Sequence, residues 1–175
     1  APAVTEAALH AGGTGIFRNQ AACPFRAFAL HRLGGVGLDV PQSGLTAMER
    51  GTLVHNVLAA VWGELRTHKA LVALDGASQE VLLGRSTEAA IAGLRQYRPE
   101  ALQGRFAEIE KARLMALAGS WLDEEKKRQT FEVLGIEEKR RVSFGGLSVD
   151  ARLDRRDRLH TGEQAIIDYK TGAAK

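Results

Sequence analysis

Apolar positions recur along the chain in two registers, one after the other. Between residues 23 and 131 they come at helical spacing, and beyond Phe131 they alternate. Gly12, Gly13 and Gly15 read as a loop. Cys23-Pro24-Phe25 then opens a predicted helix over 23–33, with Pro24 in the first turn, where no N–H is needed. Gly34, Gly35 and Gly37 end it, and 38–47 reads as a connector. A second helix is predicted over 47–68. Its buried stripe is Val54, Val57, Leu58, Val61 and Leu65, with His55, Ala59 and Trp62 along one edge. Residues 70–78 carry no clear pattern. A helix follows over 79–97, broken near Gly84, and then a long one over 102–131 with Phe106, Ile109, Leu114, Leu117 and Trp121 on its apolar face.

After Phe131 the period falls to that of a strand. A strand is predicted over 133–144, Gly145-Gly146 is a hairpin signal, and residues 147–154 alternate strictly. Leu147, Val149, Ala151 and Leu153 share one face; Ser148, Asp150, Arg152 and Asp154 share the other. A polar turn leads to a short last strand over 165–170. Helices followed by a strand meander give an α+β fold: N-terminal helices packed on a small mixed sheet. The expected organisation is one domain over 1–175, helical over 11–130 with a strand core over 131–172. The last strand has nothing after it to cover it, so the chain reads as a piece of a larger protein.

Composition narrows the classes. The chain has 175 residues, 45% of them hydrophobic, which excludes a disordered chain and permits a core. No apolar run is long enough to span a membrane, and the first residues lack a signal-peptide pattern, so the cytoplasm is the expected compartment. One cysteine, Cys23, excludes a disulfide framework and any multi-cysteine metal site. A net charge of +3 permits a nucleic-acid partner without demanding one. Walker-type phosphate loops and serine nucleophile elbows are absent.

The chemistry lies in the last strand. Ile166-Ile167-Asp168-Tyr169-Lys170 places Asp168 and Lys170 on one face. Taken alone, that pair is a surface ion pair at a strand end. Asp154, on the polar face of the neighbouring strand, changes the picture, because a meander can bring Asp154 and Asp168 to one end of the sheet. Two adjacent carboxylates repel unless a cation lies between them, and hard oxygen ligands suit Mg²⁺ or Mn²⁺. A lysine beside them can orient a water or hold a phosphate charge. The set suits phosphodiester hydrolysis.

Asp154 with Asp168-Tyr169-Lys170 resembles the signature of the PD-(D/E)XK nuclease superfamily. Residues 151–157, ARLDRRD, resemble the "GRIDRID" stretch of RecB and AddB nuclease domains, and residues 166–172 match their "IIDYKTG". RGTLVH at 50–55 resembles "RGTLxH", and CPFRAF at 23–28 resembles "CPFRFF". The four matches fall in the family's order. Residues 12–33, 44–45 and 50–62 look most like a bacterial subgroup of DNA repair proteins with a RecB-like nuclease region. The resemblance implies a restriction-endonuclease-like α/β core and a metal-dependent DNA nuclease, an exonuclease of repair or recombination. It implies that His55, Asp154, Asp168 and the Tyr169 main-chain carbonyl ligate the metal and that Lys170 is the catalytic lysine. The partners implied are DNA, as a single strand or duplex end, and a helicase-like region or subunit.

Glu137 or Glu138 stands where the family often places an acidic residue, and the sequence leaves both open. Arg140, Arg141, Arg152, Arg155, Arg156 and Arg158 suit phosphate contacts, or charge pairing with Glu137, Asp150 and Asp157. Trp62 and Trp121 read as core. Some AddB-like domains hold a four-iron cluster on four cysteines; one cysteine cannot. The helix that follows the DYK strand in the family is also missing here. The rival to an active nuclease is therefore a nuclease-fold module that binds DNA without cutting it.

Overall fold

A computed structural model describes residues 13–35, 37, 44–144 and 147–170. The hairpin signal at Gly145-Gly146 and most of the connector lie outside the described residues. Among the described residues nine elements follow in order: α1 (Gly15–Ala22), α2 (Pro24–His31), α3 (Ala47–Leu65), α4 (His68–Ala73), α5 (Gly76–Arg95), α6 (Gly104–Lys126), β1 (Phe131–Phe144), β2 (Leu147–Leu159) and β3 (Gln164–Ile167). Helices followed by one small sheet confirm the α+β class, consistent with a restriction-endonuclease-like core. The sheet runs β1-β2-β3, with β3 antiparallel to β2. Among the described residues it is an antiparallel meander, without the parallel pairing that a mixed sheet would need. Among the described residues, no helix is long and apolar enough to cross a membrane.

The chain divides into two compact units. The first comprises Ala1–Pro41 and Glu138–Leu153. Its glycine-rich start is not all loop, since Gly15 begins α1. Extended Cys23, exposed rather than core, separates α1 from α2, and Pro24 stands at the start of α2 as its fixed φ favours. Asn19 and His31 tie the two helices at 2.9 Å. On the strand ends of this unit, Arg141 Nε pairs with Asp150 Oδ1 at 2.9 Å, and the Ser143 and Ser148 hydroxyls meet at 2.8 Å.

The second unit comprises Gln42–Glu137 and Asp154–Lys175. Its centre is α3, which starts on a reciprocal capping box. The Thr46 N–H donates to Glu49 Oε2 at 2.7 Å, and the Glu49 N–H donates to Thr46 Oγ1 at 3.2 Å. The predicted stripe is buried, and Leu53 and Trp62 join it. Arg66, at φ 58, ends the helix in the left-handed region. Thr67 then caps α4 in the stretch that showed no pattern. Asp75 caps α5, which passes Gly84 unbroken. Against α3 pack α5 and α6, and the core they share takes in Leu58, Leu71, Leu102, Leu114, Leu122 and Phe131. The β2–β3 register sets Arg155 opposite Ile167 and Arg158 opposite Gln164. β3 stops at Ile167, so Asp168, Tyr169 and Lys170 lie past the last paired residue.

Candidate metal centre

Three elements of the second unit converge beside α3. His55 stands on the helix next to buried Val54 and comes half out of the core. From β1 comes Glu137, whose φ of 52 puts a non-glycine residue in the left-handed region midway along a strand. Such a residue kinks the strand and re-aims its side chain, a device found next to functional sites. Asp154 comes from β2, with its side chain only 10% exposed. One ligand atom from each of the three lies within 4.8 Å of the other two. Between the open alternatives on β1, Glu137 is the residue at the centre. Phe131, Val133 and Gly135 are buried on the same parity, whereas Glu138 pairs with Arg140 in the first unit.

Tyr169 closes the arrangement. Its backbone N–H donates to Asp154 Oδ2 at 2.7 Å, and its carbonyl lies 2.9 Å from His55 Nε2. His55 Nδ1 lies 3.3 Å from Asp154 Oδ1. Both ring nitrogens therefore face oxygens that can only accept. A neutral imidazole has one N–H, so with Nε2–H on the Tyr169 carbonyl the Nδ1 lone pair points at a carboxylate. Either a second ring proton or a cation beside Nδ1 removes that conflict. Histidine metal ligands commonly show this pattern, with the far N–H on a backbone carbonyl. Two carboxylates and an imidazole within reach of one another form a donor set that fits a hard divalent ion.

Asp168 and Lys170 are placed differently. They are exposed, their charged ends pair with each other at 2.6 Å, and Asp168 is not a member of the His55–Glu137–Asp154 group. Tyr169, between them, points the other way and is buried. Its ring stands edge-on to Trp121 at 5.4 Å and to His55 at 6.0 Å. Burial pushes its phenol well above the ordinary tyrosine range, and the neighbouring Arg155 opposes that only in part. The hydroxyl therefore stays neutral.

Arg155 requires a correction. The sequence reading offered it to DNA, but its side chain is 1% exposed. The guanidinium donates to both Glu125 oxygens at 2.8 and 3.0 Å, to Asp157 Oδ2 at 2.9 Å and to the Tyr169 hydroxyl at 3.0 Å. It lies 4.2 Å over the Trp62 ring. Burial works against its charge, but Tyr169, Glu125 and Asp157 outweigh burial and hold its pKa above the ordinary arginine value. Arg128 adds a second cation, 2.6 Å from Glu125 and 3.1 Å from Asp157. This buried network was missed, although the alternation that puts Leu147, Val149, Ala151 and Leu153 on one face puts Arg155 and Asp157 there by the same parity.

The other arginines remain at or near the surface. Arg140 and Arg141 pair with Glu138 and Asp150, and Arg152 is exposed; all belong to the first unit. In the second, Arg156 reaches Gln164 at 3.0 Å and Arg158 pairs with Glu132 at 2.6 Å. Trp62 is buried, and Trp121 packs partly buried against the core.

A family model described as the PD-(D/E)XK nuclease superfamily matches residues 17–175. No curated protein matches the chain.

Proposed function

The chain belongs to the PD-(D/E)XK nuclease superfamily, and we propose that it is a Mg²⁺- or Mn²⁺-dependent deoxyribonuclease of the RecB/AddB type. The observation that carries the metal requirement is the convergence of His55, Glu137 and Asp154 from three separate elements. The RecB/AddB assignment is supported by four sequence segments in family order, all within the matched span. On this reading the protein is an exonuclease of bacterial DNA repair or recombination. It acts in the cytoplasm on a single strand or duplex end, delivered by a helicase-like region or subunit.

His55, Asp154 and Glu137 would hold the ion, and the Tyr169 carbonyl and Asp168 are further oxygen donors that the family resemblance adds to the set. When bound, a divalent ion polarises a phosphate oxygen and makes a water a stronger nucleophile. The chain's own residues do the rest. Asp154 takes the Tyr169 N–H on one oxygen and keeps the other toward His55 Nδ1. Lys170 Nζ, exposed and paired with Asp168, would hydrogen-bond a water or a phosphate oxygen once Asp168 gives it up. Arg140, Arg141, Arg152 and Arg156 supply phosphate contacts that position a strand without reading its bases. Arg155 has no such role, because its charge is spent inside the core.

A second reading has one observation in its favour: Lys170 is engaged by Asp168. On that reading the protein is a nuclease-fold module that binds DNA without cutting it. Incubation with single-stranded and duplex DNA in Mn²⁺, with a chelator control and Lys170→Ala, separates the two. Cleavage abolished by chelator and by Lys170→Ala supports the nuclease. Salt-dependent DNA binding without Mn²⁺-dependent cleavage supports the binding module.

A further inference from the structure

Tyr169 lies outside the ladder that should hold it. The β2–β3 register ends at Arg155 opposite Ile167, so no strand pairing fixes the backbone at Asp168, Tyr169 and Lys170. Yet that backbone makes both main-chain contacts at the metal centre, the N–H to Asp154 and the carbonyl to His55. Something else must set its position. The candidate is the far end of the same side chain, where Arg155 Nη1 donates to the Tyr169 hydroxyl at 3.0 Å.

Arg155 is well suited to be a fixed point. Glu125 on α6 and Asp157 on β2 both accept from its Nη2, and Trp62 on α3 lies beneath it. Its neighbour in the chain is Asp154. On a strand, adjacent side chains leave on opposite sides, so one stretch of backbone sends Asp154 to the centre and Arg155 into the buried network. The two arms meet again at Tyr169, one at its N–H and one at its hydroxyl. The result is a closed ring of contacts, Asp154 to Arg155 through the chain, Arg155 to the hydroxyl, and the N–H back to Asp154. We propose that Arg155 is a positioning residue for the metal centre, acting through the Tyr169 hydroxyl to hold the Tyr169 carbonyl and N–H where His55 and Asp154 need them. This rests on the metal-centre reading above and adds a residue that no ligand or DNA contact accounts for.

A phenyl ring would fill the same space, so packing alone does not require the hydroxyl. The test uses that. Mn²⁺ affinity is measured by calorimetry on the native chain, Tyr169→Phe, Arg155→Lys and the double variant, with circular dichroism reporting the fold. Outer partners of metal ligands typically change affinity by about 10- to 100-fold. Tyr169→Phe should keep the fold and weaken Mn²⁺ about tenfold. Arg155→Lys should weaken it too, and the double variant should bind no more weakly than the poorer single variant, since both remove the same link. Native-like affinity in Tyr169→Phe would overturn the proposal, as would losses that multiply in the double variant. If the native chain binds no Mn²⁺, the metal-centre reading itself falls and the proposal with it. Native binding with unaffected variants removes only the positioning role.

Discussion

Arg155→Met tests whether the buried charge network holds the fold as its geometry requires. Methionine approximates the length of the arginine stem and can keep contact with Trp62, but it leaves Glu125 and Asp157 without their shared cation. Breaking a buried pair by removing one partner costs about 3–5 kcal/mol. Arg128 remains, 2.6 Å from Glu125 and 3.1 Å from Asp157, and its side chain is 29% exposed, so water screens part of its field. One partly screened cation then faces two buried carboxylates, which places the expected loss near the lower end, about 3 kcal/mol. The cation contact with Trp62 contributes about a further 1 kcal/mol, which the methionine packing offsets in part. At a urea m-value of about 2 kcal/mol/M, the midpoint should fall by about 1.5 M. The assay is urea unfolding followed by the fluorescence of Trp62 and Trp121. Arg155→Met with Glu125→Gln and Asp157→Asn should recover part of the loss. A midpoint within 0.3 M of native (about 0.6 kcal/mol at that m-value), or a triple variant no more stable than the single one, would refute the reasoning.

Further outcomes follow from single features. Glu49→Ala should cost about 1 kcal/mol at neutral pH by removing the side-chain acceptor of the α3 capping box. The Thr46 N–H holds the Glu49 carboxyl below its ordinary value, so this difference should be full above the unfolded pKa and disappear as pH falls through the folded one, in paired urea melts at pH 7 and pH 3. Glu137→Gly should relieve the left-handed backbone and leave the metal-free protein as stable or up to about 1 kcal/mol more so, while weakening Mn²⁺; a loss of stability would contradict the strain argument. Leu114→Ala, at a side chain buried in the α3–α5–α6 core, should cost about 2–5 kcal/mol in thermal or urea unfolding.

The helices were legible where one apolar face repeats long enough to outvote local exceptions. The stripe of α3 named five core residues correctly, and its edge named His55. α4 was not legible because six residues are too few for a period; the signal that could have found it is Thr67, a capping residue type directly before it. α1 was hidden because glycine at Gly15 sits at a helix start, where its flexibility does little harm. At the centre, alternation predicted that Asp168 and Lys170 would share a face, and they pair. It did not predict that β3 would stop before them, since strand ends depend on where partner residues run out. Arg155 was misread because charge was weighed before parity: a basic cluster suggests a surface, but a strand has only two faces and every second residue belongs to the inner one. The choice between Glu137 and Glu138 needed the backbone, because a left-handed residue in a strand leaves no mark on composition.

The central claim is that His55, Glu137 and Asp154 form a metal centre, and stoichiometric Mn²⁺ titration of the native chain against Asp154→Ala tests it most directly. Asp154 is the right residue to remove because it touches both His55 and the Tyr169 backbone. One Mn²⁺ per chain, lost in Asp154→Ala while circular dichroism stays native, is the predicted result. No binding at millimolar Mn²⁺ in the native chain, or unchanged affinity in Asp154→Ala, would contradict it.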